Sequence, residues 1–141
     1  EAEARAEEAV AAAVVAGGAE LLRAPEHRLR EGDGVQMLGF IQGAVKRLTP
    51  EGRLPVPHMG WSRLARDRDD PLMDGVTDGG YAYFVHGFVC PDGPATLARA
   101  DYGGAVPAVV RSANRWGCQF HPERSAEAGA TILKNFLGLP C

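Results

Sequence analysis

The chain has 141 residues, 45% of them apolar and 23% charged, with a formal net charge of −3. These values suit one globular domain with a buried core, and the acidic balance, with no basic stripe, speaks against a nucleic-acid or anionic-membrane partner. No run of about eighteen apolar residues is present to span a membrane, and the Ala-rich start is acidic, unlike a secretory signal or transit peptide.

In chain order, residues 1–23 are helical in composition, with Glu1 and Arg5 spaced for an i,i+4 pair. Gly17 and Gly18 interrupt this stretch and end one helix before a second short one over residues 19–23. Residues 24–37 form a polar loop. Extended segments then follow at 38–48, 56–64, 81–90, 95–102, 106–113 and 116–120. The turn-rich stretches TPEGRLP, DRDDPLMDGVTDGG and PDGP separate them. Segment 81–90 is apolar in both parities, which predicts a central strand covered on both faces. A closing helix is predicted over 125–137, with Ser125 as N-cap and Gly138 and Pro140 as stop signals. Its Ile132, Leu133, Phe136 and Leu137 form a core-facing stripe. Helix, strands and helix in this order predict an α/β or α+β domain, and no internal repeat is present.

Cysteine usage sets the expected compartment. Cys90, Cys118 and Cys141 are an odd number with no paired spacing, which suits free thiols in a reducing cytoplasm. The chain begins with Glu1 rather than methionine, as a piece of a longer product would.

The chemistry concentrates in RWGCQFHPERSAEAG. Pro122 fixes its own φ and biases His121 toward extended backbone, where side chains two apart share a face. Glu123 would then lie beside His121 and orient one ring nitrogen, giving a base and its orienting acid without a nucleophile. A lone histidine near a strand end is more often structural, so spacing alone is weak evidence. Cys118 and His121 suggest a Cys-x-x-His metal pair, yet no second pair stands at zinc-ligand spacing and the two face opposite ways on a strand. Cys118 is therefore expected to be a buried structural thiol, and no metal or cofactor is expected. Cys90 and Cys141 default to unreactive thiols. Trp61 fits either core or interface, core being favoured by its chemistry alone, and His58 and His86 are expected as packing or backbone-bonding histidines.

From residue 38 to 137 the chain resembles the glutaminase subunit of imidazole glycerol phosphate synthase, a class I (triad-type) glutamine amidotransferase. FHPE is shared across that class, whereas LGFIQGAV, VPHMGW, YFVH, ADYGG and LKNFL in this order resemble the histidine-biosynthesis branch. The resemblance implies an incomplete flavodoxin-like α/β fold, a mixed sheet with flanking helices. It also implies glutamine hydrolysis, with ammonia passed to a (β/α)8-barrel cyclase subunit in a heterodimer. In such enzymes a cysteine thiolate attacks the glutamine carboxamide, the histidine carries the proton to departing ammonia and the glutamate orients it. By that likeness His121 and Glu123 are catalytic. His86, Gly87 and Phe88, in place of the family's VHSY backbone contacts, hold substrate, and Pro57, Met59, Trp61, Tyr83 and Arg124 form the partner interface. A Trp, a Tyr and an Arg on one surface also fit hot-spot composition.

The chain departs from the family at the nucleophile. The family pattern, like G-[IV]-C-[LV]-G-M-Q-L-L, falls on residues 14–22 with Leu21 and Leu22 on its final leucines. Ala16 then takes the cysteine position and Glu20 that of the substrate-binding glutamine. An alanine has no lone pair, so triad chemistry cannot run through it. The family's N-terminal half is mostly absent, with its parallel strands and part of its oxyanion hole. The expectation is a single amidotransferase domain, 1–37 an Ala-rich helical segment and loop and 38–141 family-like, with no glutaminase activity alone. The alternatives are a non-catalytic binding module that docks on a cyclase barrel, or a truncated fragment of another class I amidotransferase such as the anthranilate- or guanylate-forming branches.

Overall fold

The computed structural model describes residues 30–31, 35–36, 41–43 and 45–139. The predicted N-terminal helices, Ala16, Glu20, Pro140 and Cys141 lie outside the described residues. Within the segment read as a polar loop, β1 (Arg30–Glu31) and β2 (Val35–Gln36) pair antiparallel. Of the expected strand at 38–48, the described part carries β3 (Lys46–Arg47), paired with β7 (Phe88–Val89).

The rest is built on two ladders. In the first, β4 (His58–Arg63) and β6 (Tyr81–His86) pair antiparallel in a six-residue register, His58 opposite His86 and Trp61 opposite Tyr83. The second has the order β10–β9–β8–β5, comprising β5 (Ala65–Arg66), β8 (Thr96–Asp101), β9 (Ala105–Ser112) and β10 (Arg115–Cys118). The ladders between these strands are antiparallel. Helix α1 (Ala126–Leu137) packs on the loop that contains the 3-10 turn Pro71–Met73, and Asn135 Nδ2 donates to the carbonyls of Leu72 and Asp74. Strands flanked by a helix give the α/β class that the sequence predicts. No helix among the described residues is long and apolar enough to cross a membrane.

The doubly covered strand is β9, not 81–90. Residues 106–110 of β9 are all buried, because β8 and β10 flank it and other core residues lie over it. Pro107 sits in this central strand without a ladder donor, and its partner β8 shifts register around Ala98 and Arg99, the kind of irregularity that tolerates proline. Segment 81–90 instead breaks at Gly87 into β6 and β7. In β6 burial alternates, with Ala82, Phe84 and His86 inward and Tyr81 outward. Its many apolar residues on the outer face are therefore not core.

The core joins Leu64, Leu72, Met73, Phe84, Val106, Val109, Phe120 and Ile132. The predicted stripe of α1 holds for Ile132, fully buried, and for Phe136, packed against the core. Leu137 is a correction, being 86% exposed in the last turn before Gly138. The tight β9–β10 turn places Ala113 at φ 55, a left-handed conformation that alanine rarely adopts.

Candidate functional site

His121 leaves β10 in extended backbone, φ −89 and ψ 101, and Pro122–Arg124 make one 3-10 turn. Its Nδ1 lies 3.1 Å from Glu123 Oε1. An ionised carboxylate only accepts, so Nδ1 carries the proton and donates, leaving the Nε2 lone pair free. That is the tautomer a general base needs. The contact is only partly sheltered, Glu123 being exposed.

Backbone fastens this turn to β6. The His121 N–H donates to the Tyr83 carbonyl at 2.9 Å. Ser125 makes no capping bond to the helix; its Oγ accepts the Tyr83 N–H at 2.9 Å and donates to the His121 carbonyl at 2.7 Å. The predicted cap role is thus replaced by a link back to the base. A Cβ built on Gly129 would meet the Pro122 carbonyl oxygen at 1.8 Å, so only glycine lets α1 sit this close. Gly129→Ala is expected to cost about 1–3 kcal/mol, read from the urea midpoint, with perturbation of His121 in NMR spectra.

Three residues along β6 from the Tyr83 anchor, roughly 10 Å by strand rise, stands His86 at the start of 86–88. This segment is built into the fold. His86 Nδ1 donates to the Phe88 carbonyl at 2.8 Å, and the Gly87 carbonyl accepts the Leu48 N–H at 2.9 Å. The Phe88 ring is covered by Arg47, 5.3 Å away. A ligand at 86–88 would have to share those carbonyls.

A polarised chain fixes the other buried histidine. With His86 Nδ1 protonated, its Nε2 must accept from His58 Nδ1, 2.9 Å away. His58 Nε2 then accepts from the Ser62 hydroxyl at 2.9 Å. Both rings are neutral. Burial, with His86 as a secondary cause, lowers His58 to about 4, and burial also lowers His86. His58 is further stacked between Phe84 and Tyr102, with centroids at 4.8 and 3.9 Å. The packing and backbone-bonding roles expected for these histidines hold.

The opposite face of the β4–β6 ladder carries the predicted interface set. Pro57 and Arg124 are exposed, Met59 is 62% and Trp61 51% exposed, and Tyr83 is half-buried. Trp61 is therefore not a core residue, correcting the packing expectation: on β4 its parity is that of Met59, opposite to buried His58. Trp61 meets the Tyr83 ring edge-on at 5.7 Å, and the Arg124 guanidinium lies 4.9 Å over that ring from its other neighbour. Arg63 and Tyr81 continue the stripe, and sequence reasoning missed them. Their register opposite one another is the signal that would have found them.

Cys118 is buried and pushed up to about 12, and burial chiefly pushes Cys90 up to about 11. Neither is a thiolate near neutrality, as expected. Among the described residues no three metal-ligating side chains cluster. A cavity of about 600 Å³ opens between β4 and β8, beside Trp61, Ser62 and Arg99, but none of residues 86–88, 121 or 123 lines it.

The chain is similar to known proteins over most of its length. Residues 13–138 match the family described as glutamine amidotransferase class-I. Over 107 residues the chain is 52% identical to the imidazole glycerol phosphate synthase subunit HisH of Xylella fastidiosa, covering 76% of this chain and 53% of that protein. The Xanthomonas axonopodis pv. citri protein of the same name is 50% identical with the same coverage. Its Escherichia coli K12 counterpart is 47% identical over 110 residues, 78% of this chain and 56% of that protein. The chain spans about half the length of these relatives.

Proposed function

We infer the function from the premise that this chain belongs to the class I glutamine amidotransferase family. Its proposed role is that of the glutamine amidotransferase subunit of an imidazole glycerol phosphate synthase, which hydrolyses glutamine and supplies ammonia to a cyclase subunit in histidine biosynthesis. The observation that carries this reading is the His121–Glu123 contact at 3.1 Å, with Nε2 left free. His121 would take the nucleophile's proton and deliver it to departing ammonia, and Glu123 would hold the ring and stabilise the imidazolium. Residues 86–88 would hold glutamine chiefly through backbone, with Glu20 replacing the family's glutamine. No cofactor or metal enters this chemistry.

The chain itself is proposed to be inactive alone. The family match begins at residue 13 and so takes in residues 14–22, which supports reading Ala16 as the nucleophile position. The proposed unit is one amidotransferase domain, cytoplasmic. Ala16→Cys, assayed for ammonia release from glutamine with and without a cyclase subunit, tests the site. Release by the cysteine variant but not by wild type is expected. Turnover by wild type, or by neither even with the cyclase, overturns the claim that one missing thiol silences it.

A second reading, a non-catalytic module docked on the cyclase barrel, is favoured by the exposed Met59, Trp61 and Tyr83 beside Arg124. Trp61→Ala is expected to weaken binding to a cyclase subunit by about 2 kcal/mol, roughly thirtyfold in Kd. An unchanged Kd by calorimetry would remove this face from the interface.

A further inference from the structure

We propose that Ser125 is the positioning residue for His121, setting the ring so that Nδ1 meets Glu123; this rests on reading His121 as the base. A serine before a helix ordinarily turns its oxygen toward the helix's own free N–H groups. Here that bond is absent, and the first helical residue, Ala126, stands at φ 47, where L side chains are strained. Two local rules fail at one junction. Strain of this kind persists only where the surroundings over-determine it, and it gathers at functional sites.

What over-determines the junction is the buried Ser125 hydroxyl. It is fully buried, donates to the His121 carbonyl at 2.7 Å and accepts the Tyr83 N–H at 2.9 Å. Together with the His121 N–H on the Tyr83 carbonyl and the Arg124 N–H on the His121 carbonyl, at 2.9 and 3.0 Å, it pins both ends of the His121 peptide unit. Pro122 already holds His121 in extended backbone, and the pinned peptide unit aims its ring at Glu123. Without the hydroxyl, the Tyr83 N–H loses its partner, the left-handed kink at Ala126 relaxes, and the turn over residues 122–124 is free to swing the Glu123 carboxylate away from the His121 ring. Ser125 touches no reacting atom and acts through His121.

The test uses the full chain with ¹⁵N-labelled histidine, reading the His121 ring tautomer by imidazole NMR near neutral pH and assigning it by its loss in His121→Gln. Wild type is expected to show a single Nδ1–H tautomer. Ser125→Ala should lose that bias and populate the Nε2–H form. Ser125→Cys, of similar size but a poor hydrogen-bonding group, should fall between them and serves if the alanine variant does not fold. Asn135→Ala loosens the same helix at its other end, removing the bonds to the Leu72 and Asp74 carbonyls, and should leave the tautomer unchanged. The proposal is overturned if folded Ser125 variants keep the Nδ1–H form, or if Asn135→Ala shifts it equally. Neither glutamine nor a partner takes part, so this failure is distinct from failure of the amidotransferase reading.

Discussion

Asp70→Ala is expected to destabilise the fold by about 2–5 kcal/mol, chiefly because two buried donors that the carboxylate serves are left without a partner. Asp70 is almost fully buried and serves three donors. Its Oδ1 accepts from the Leu72 N–H and the Trp116 indole N–H, both at 2.9 Å, and its Oδ2 accepts from Arg111 Nη1 at 2.7 Å. The Arg111 guanidinium also stacks over the Trp116 ring at 4.6 Å. One carboxylate therefore ties the loop before the Pro71–Met73 turn to β9 and β10. Alanine would leave a buried indole N–H and a backbone N–H unpartnered, while the part-exposed Arg111 keeps water and the Ala113 carbonyl. Asp70→Asn keeps the volume but offers one acceptor atom and a donor facing Arg111, so it should fall between alanine and wild type. Urea unfolding at neutral pH decides the matter. A loss under 1 kcal/mol for the alanine variant would mean that water replaces the carboxylate.

Sequence made part of this legible. The strands from 56 onward, the closing helix and the His121–Glu123 pair follow from local signals: alternation, turn residues, and a proline that restricts its neighbours. The failures are tertiary. Trp61 looks like core because a single strand does not say which face is covered, and a tryptophan is usually on the covered one. Segment 81–90 looks doubly covered because apolar residues kept for an exposed aromatic face are indistinguishable in sequence from core residues. Ser125 looks like a cap because its true partner, Tyr83, is 42 residues away. The network around Asp70 gave no sequence signal, since its partners lie 41 and 46 residues downstream.

Lowering the pH from 6.5 to 4 is expected to remove about 3 kcal/mol of stability through His58 alone. Burial, aided by His86, lowers its folded value from 6.5 to about 4. Well above 6.5 the ring is neutral in both states and contributes no pH dependence. Between 6.5 and 4 the unfolded chain binds a proton that the folded chain does not, so stability falls as pH falls. Below about 4 both states are protonated and the loss levels off. His86, also lowered by burial, adds to the decline in the same direction. The physical cause is the hydrogen-bonded chain: protonating His58 Nε2 displaces the bond received from Ser62, and protonating His86 Nε2 sets two donors face to face across 2.9 Å. Asp92, lowered chiefly by its bond to Arg99, loses its contribution only below the ordinary carboxylate value of 3.8 and does not obscure this window. Urea midpoints across pH 4–7 for wild type and His58→Gln measure the effect. The glutamine variant should be less stable at pH 7 yet show a shallower decline. Equal slopes for the two proteins would show that His58 titrates normally in the folded state, and that water reaches the pair between β4 and β6.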